Sequence, residues 1–366
     1  MTNLIYLSPV PWNSFAQRPH KFAAWFHDRH RGRVLWVDPY PTRLPKLSDL
    51  RRLSAPATDG GGTPRPDWLQ VTGLRSLPVE PLPGAQHLNR QFWRAALAGM
   101  RRFADAGRCV VVTGKPSRFA LAALDALADL PRIHDAMDDF PAFYDGFSRR
   151  AMLRTEAAMA RRVDTVWASG VQLYRHWQGL HPDVRLVPNG LDPASLRGVG
   201  TVMPDPQQPV IGYLGTVAGW FDWPLVVALA RLVPQAVVPV IGPRHGTVPR
   251  DLPGNIRLLP PCEQGQAMTR MAGFDIGLIP FRRDRLTASV DPIKFYEYRA
   301  LGMPVISTPF GDMAARGGQD GVFLVQGAGD LPAAIQAARQ QVGPRRIDPA
   351  FARDNSWQAR FDATGL

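Results

Sequence analysis

Short apolar runs alternate with stretches whose apolar residues recur at helical spacing. NLIYLSPVP (3–11) has the length of a buried strand and ends in a Pro-containing loop. RPHKFAAWFHDR (18–29) is helical in spacing, and GRVLWVDP (32–39) is a second strand. Residues 40–67 are rich in Pro, Gly and Arg, with GGG at 60–62, and read as a long mobile excursion. WLQV (68–71) and LRSLPV (74–79) are short strand candidates. A helix is expected at 88–106, then the strand CVVVTG (109–114), the helix SRFALAALDAL (117–127) and the strand that opens PRIHDAMDDF (131–140). A long helix at 149–164 follows, and TVWAS, VQLYRHWQ and VRLVPNG then give strand, helix and strand up to residue 190.

Residues 191–208 are poor in large apolar side chains and contain several prolines and glycines, which marks a linker. The alternation then restarts. PVIGYLGT (209–216), AVVPVIGP (236–243), NIRLLPP (255–261), IGLIPF (276–281), PVISTP (304–309) and GVFLVQ (321–326) read as strands. Helices are expected at 222–233, 263–272, 292–302 and 331–341, with a terminal helix at 356–365. Strands that alternate with helices imply parallel sheets covered on both faces. The expected fold class is therefore α/β, with two tandem Rossmann-like, doubly wound domains. Their bounds are 1–190 and 209–345, followed by a C-terminal segment, 346–366, that could cross back to the first domain. Such sheets bind ligands beyond the carboxyl ends of their strands, and two facing domains would share a cleft.

Charge adds an asymmetry. The net charge is +12; residues 1–200 carry 27 Lys+Arg against 17 Asp+Glu, whereas residues 201–366 carry 16 against 14. A basic N-terminal half fits a membrane surface or an acidic acceptor, and also fits an arginine-favouring genome, since only four of the 43 basic residues are lysine. Arg101-Arg102, Arg149-Arg150 and Arg161-Arg162 are candidates for a membrane-facing surface, or simply for solvated faces. The common aromatic-and-basic pattern of single-strand binders is absent, so no nucleic-acid partner is expected. Cys109 and Cys262 lie far apart without metal or disulfide spacing and read as reduced thiols. No signal peptide or membrane span is expected, which makes the protein cytoplasmic, with the basic half as a candidate contact to the inner face of the cell membrane.

Two stretches of the second half carry chemistry. In GYLGTVAGWFDW (212–223) a strand runs into a Gly-bearing loop and a helix start, a place where backbone N–H groups can approach a phosphate or where a turn simply needs glycine. The spacing matches neither a dinucleotide fingerprint nor a P-loop. In PIKFYEYRALG (292–302), Lys294 and Glu297 share one helix face. Lys294 stands in the first turn, where a cation opposes the helix dipole unless a bound anion shares that end. The alternative is an exposed Lys–Glu pair.

Taken in order, VPNGLD (187–192), GYLGT (212–216), DIGLIPF (275–281) and PIKFYEYRALGMPVIST (292–308) resemble the nucleotide-sugar glycosyltransferases of GT-B fold, and most closely the family 4-like bacterial enzymes of cell-surface polysaccharide synthesis. PWNSFAQRPHKFAAWF (11–26) and NSWQARF (355–361) extend the resemblance over nearly the whole chain. The resemblance implies that the C-terminal domain holds the nucleotide sugar. Lys294 would meet the diphosphate and Glu297 the ribose; Ile279, Pro280 and Phe281 would border the base, and Gly215 and Thr216 would lie near the phosphates. An ammonium that tracks the departing diphosphate requires no metal, the second domain has no DxD-type pair, and no cofactor is expected. The family's E-x7-E pattern is broken here, because Ser289 stands eight residues before Glu297, with Asp291 nearby.

The acceptor side rests on RIHDAMDDF (132–140), where Asp135, Asp138 and Asp139 follow a strand. A carboxylate there can take the proton of an acceptor hydroxyl, or can serve the loop as a cap. The segment resembles the aspartate-bearing loop of the xanthan-type glucuronosyltransferases, with Asp138 matching the base; His134 reads as packed. Trp12, Gln17 and Arg18 follow the first strand and are candidates, with Asp135, for the acceptor side of the cleft. The expected function is transfer of a sugar from a nucleoside diphosphate sugar, UDP-linked by preference, to a saccharide acceptor that could be lipid-linked. A UDP-sugar epimerase of the same fold and a non-catalytic nucleotide-sugar-binding homologue are the alternatives.

Overall fold

A computed structural model describes residues 1–40, 42, 65–77, 80, 82, 84–200, 202–344 and 346–366, the side chains of 85, 86 and 264 excepted. Most of the 40–67 excursion lies outside these residues. The chain divides into two compact units, Met1–Val187 and Pro188–Leu366.

In the first unit the order is β1 (Asn3–Leu7), α1 (Arg18–His30), β2 (Val34–Val37), β3 (Leu69–Thr72), α2 (Ala85–Asp105), β4 (Cys109–Thr113), α3 (Arg118–Ala126), β5 (Arg132–Ala136), α4 (Gly146–Ala160), β6 (Thr165–Ala168), α5 (Val171–Gln178) and β7 (Val184–Leu186). The sheet runs β3-β2-β1-β4-β5-β6-β7, and every pairing is parallel. Strands buried on both faces need no polar alternation, which is why they read as continuous apolar runs. Ile5, Leu7, Leu35, Val37 and Val111 turn to a face covered by Trp93, Phe119, Met159 and Trp177. On the other face Tyr6 stacks on Trp36 at 5.3 Å and meets Phe22 of α1 at 5.7 Å.

The second unit follows the same plan. Its elements are β8 (Ile211–Leu214), α6 (Trp223–Leu232), β9 (Val238–Ile241), β10 (Ile256–Leu259), α7 (Gln264–Ala272), β11 (Ile276–Ile279), α8 (Ile293–Ala300), β12 (Val305–Ser307), β13 (Val322–Leu324), α9 (Leu331–Gln340), α10 (Pro349–Asp354) and α11 (Trp357–Asp362). The sheet order is β10-β9-β8-β11-β12-β13, again all parallel. In each sheet the strand order reverses beside the first strand, at β1/β4 and at β8/β11. That reversal opens a crevice beyond the carboxyl ends.

Several details differ from expectation. Residues 74–77 form no strand. The stretch 191–208 is not a bare connection: Leu191 and Leu196 are buried in the second unit's core, and Pro193–Leu196 forms a 3-10 turn capped by Asp192. The terminal segment holds two short helices, and Ser356 bridges to Leu191 in parallel register.

Candidate functional site

In the second unit, α8 carries Lys294 and Glu297 to the carboxyl edge of the sheet. The helix lies close on β11 because Gly277 leaves room: a Cβ there would come within 2.4 Å of the Tyr298 ring. The Leu214 N–H donates to the Tyr298 hydroxyl at 3.2 Å, which ties the same helix to β8. Helices in such units run antiparallel to the strands, so the first turn of α8 faces the crevice. Lys294 Nζ lies 2.5 Å from Glu297 Oε2, and both side chains are about one-fifth exposed (22% and 19%). The N-cap residue, Pro292, makes no side-chain cap bond, and the first turn contains no acid. Phe295 N donates to Pro292 O at 3.1 Å, and with no side-chain cap the other N–H groups of the turn can meet an anion.

The helix after the Gly-bearing loop is different. Asp222 caps α6, its carboxylate accepting from Leu225 N at 3.1 Å, so a carboxylate already occupies that end. The loop itself continues the ladder. Gly215 N donates to Ile241 O at 2.9 Å, Val217 N donates to Pro243 O at 2.9 Å, and Thr216 O accepts from the Tyr213 hydroxyl at 2.9 Å. Beyond it, Phe221 bridges to Phe281, and Arg282 N donates to Trp220 O at 2.7 Å. Gly215, Thr216, Pro280 and Phe281 therefore share one edge. Phe281 is half-buried, 4.9 Å from the Phe310 ring, whereas Ile279 is 0% exposed and packs in the core, so its side chain offers no surface to a base.

Ser289 is buried, and Asp291 cannot stand in for the missing glutamate. Asp291 Oδ1 accepts from Arg316 at 2.6 Å, and its Oδ2 accepts from Asn189 N at 2.8 Å and from the Tyr296 hydroxyl at 2.9 Å. Sequence spacing missed two further features. Arg282, Arg283 and Arg285 are exposed directly after β11. A cavity of about 260 Å³ opens at the carboxyl ends of β9 and β10, lined by Ile241, Leu259, Pro261, Cys262, Glu263 and Gln266 among others.

The first unit places its carboxylates at the end of β5. Asp135 is fully buried in an ion pair with Arg18, whose Nε lies 2.9 and 3.1 Å from the two carboxylate oxygens. Tyr6 donates to Asp135 at 3.3 Å, and Arg18 also donates to Val187 O at 2.8 Å. With Arg18 2% exposed and Asp135 0%, the pair is scaffold and presents no surface to an acceptor. Trp12 is likewise interior: 6% exposed, its indole edge-on to Trp36 at 4.9 Å and its backbone N–H donating to Asp38 Oδ1 at 3.0 Å. Phe15 and Gln17 are exposed in that loop, as are Pro11 and Asn13. His134 is packed as expected, bonded through Nδ1 to Thr113 O at 2.8 Å, and burial pushes its pKa down to about 4.

Asp138 is half-buried, three residues beyond Asp135. Desolvation, followed by the charges of Asp135 and Asp139, pushes its carboxyl up to about 7, against the opposing charges of Arg18 and Lys115. A carboxylate that titrates near neutrality suits general-base work. Lys115, in the loop after β4, lies over the Phe140 ring at 5.7 Å. Among the described residues no group of three or more His, Cys, Asp or Glu side chains is arranged to hold a metal ion.

No family model matches the chain, and no curated protein matches it in sequence. Solved structures do match in fold. Sucrose-phosphate synthase from Thermosynechococcus elongatus superposes with a TM-score of 0.61 at 15% identity, covering 99% of this chain and 94% of that one. Anabaena HepE in complex with UDP-glucose gives 0.60 at 12% identity, covering 100% of both chains. A UDP-forming α,α-trehalose-phosphate synthase from Burkholderia vietnamiensis gives 0.57 at 12% identity, covering 100% and 96%. The chain thus has the two-domain, Rossmann-like fold of these proteins.

Proposed function

We propose that the protein is a glycosyltransferase that moves a sugar from a nucleoside diphosphate sugar, UDP-linked by preference, to a saccharide acceptor. The observation that carries this reading is Lys294 in the uncapped first turn of α8, at the carboxyl edge of the second sheet. Neighbours of the same fold were solved with UDP and with UDP-glucose. In the transfer, Asp138 takes the proton of the acceptor hydroxyl as its oxygen bonds to the anomeric carbon. The bond from that carbon to the diphosphate oxygen breaks, and the Lys294 ammonium, released from Glu297, meets the developing charge. Glu297 is then free to accept from ribose hydroxyls. The cavity beside β9 and β10 offers room for a base, in addition to the edge formed by Pro280 and Phe281.

A lipid-linked acceptor fits the surface of the first unit. Leu88 (57% exposed) and Phe92 (39%) stand one turn apart on α2, which also exposes Arg90 and Arg94, and Phe143 and Phe147 are exposed ahead of Arg150 at the start of α4. The deciding experiment is a thermal-shift screen of UDP-, GDP- and dTDP-sugars, followed by turnover of Lys294→Ala. A stabilising donor and a loss of turnover of about 10²-fold or more in a folded variant are expected. Unchanged turnover removes the diphosphate role.

A further inference from the structure

The stretch VPNGLD (187–192) carries the chain into the second unit, and Val187, Asn189, Gly190, Leu191 and Asp192 are each fixed by a hydrogen bond or a close approach. Val187, the last residue of the first unit, has its carbonyl held by Arg18 at 2.8 Å. Asn189 grips one residue twice: its N–H donates to Asp291 Oδ2 at 2.8 Å, and its Nδ2 donates to Asp291 O at 2.7 Å. Gly190 passes where a Cβ would lie 2.8 Å from Asn355 O and 3.0 Å from Trp357 N. Leu191 pairs on both sides, its N–H donating to Asn355 O at 3.0 Å and its carbonyl accepting from Trp357 N at 2.9 Å. Asp192 caps the turn that follows.

Asp291 is also fixed from the opposite side. It directly precedes Pro292, the N-cap of α8, and is held by Tyr296 of that helix and by Arg316, whose guanidinium stacks 3.9 Å over the Phe295 ring. The entry segment and the first turn of α8 thus meet at one buried residue.

We propose that Asn189 and Asp291 form a clamp through which binding of a nucleoside diphosphate at the first turn of α8 stiffens the entry segment 189–193. The proposal rests on the donor reading of Lys294. An anion bonded to the uncapped turn orders Pro292–Phe295, and Asp291 is ordered with it. Asn189 donates both its backbone N–H and its side-chain amide to Asp291, while its carbonyl accepts from Arg360 Nε at 3.3 Å, so order at Asp291 passes to the entry segment through two bonds. Binding and rigidity are then linked reciprocally: loosening Asn189 must weaken nucleotide binding by the same factor by which the nucleotide tightens the segment. Asn189 is a positioning residue, since it touches no substrate atom.

The test is amide hydrogen exchange of the full chain with and without saturating UDP, alongside the UDP-induced melting shift. Exchange in 189–193 should slow about fivefold or more in the wild type. In Asn189→Ala, which removes the Nδ2 bond but leaves the backbone bond and the Asp291–Arg316 pair intact, that response should shrink while UDP affinity falls by a similar factor. A melting shift without slowed exchange in the wild type overturns the clamp, whether or not the variant folds. So does a variant that responds as the wild type does. Absence of any melting shift with UDP, GDP or dTDP removes the donor reading and the clamp together, an outcome distinct from the other two.

Discussion

The two units share a plan down to the placement of one ion pair, and differ in the group set beside it. In the first, Asp135 is buried against Arg18; in the second, Asp291 is buried against Arg316. Three residues beyond each aspartate stands a side chain that is not spent on scaffold: Asp138 in one unit and Lys294 in the other. The first edge offers a carboxyl whose ionisation is opposed, the second an ammonium in an uncapped helix turn. The difference teaches that in each unit the buried acid is held by an arginine, while the residue three positions later lies partly exposed at the sheet edge.

That division can be broken most sharply at Asp138. Asp138→Asn should lower sugar transfer by about 10²–10⁴-fold while leaving UDP binding unchanged, as measured by turnover and by calorimetry. Parallel loss of both would return Asp138 to scaffold. Next in size, Arg18→Met and Arg316→Met should each cost about 3–5 kcal/mol in urea unfolding, because each leaves a buried carboxylate unpaired. A marked inequality between the two would end the parallel between the units.

A smaller effect distinguishes Asp138 by sign. Its folded pKa of about 7 lies above the ordinary 3.8, so the folded state holds this proton more tightly than the unfolded chain. Its contribution to stability is complete below about pH 4 and is lost as the pH rises through about 7. Asp138→Asn should therefore melt higher than the wild type at pH 8 and equally at pH 4, the reverse of what removing a paired scaffold acid does. The smallest effect concerns the basic first unit. Sedimentation with anionic vesicles should weaken with salt and weaken further in Leu88→Ser/Phe92→Ser. Binding indifferent to both leaves that face a solvated surface.

The sequence made the architecture legible because buried parallel strands announce themselves as apolar runs between helical spacings. It also brought Lys294, Glu297, Gly215, Thr216 and Phe281 to one sheet edge. It could not separate working polar residues from scaffold ones. Arg18 and Asp135 look like edge charges in a linear string, and only the pairing of an α1 residue with one 117 positions away shows them to be interior. Ile279 looked like a pocket wall, but β11 is covered on both faces and buries it. One signal was available and carried the opposite meaning: Asp222 followed by Trp-Pro is a capped helix start, which closes the α6 terminus to an anion, whereas α8 starts at Pro292 without a side-chain cap.

The placement of the two thiols makes the second unit open to direct observation. Cys109 lies inside the first sheet with its thiol pushed up to about 12, and so resists alkylation at neutral pH. Cys262 is partly exposed on the wall of the cavity beyond β9 and β10. A maleimide dye added to the native protein would settle on that one sulfur, giving an optical reporter at the rim of that cavity without a single engineered cysteine.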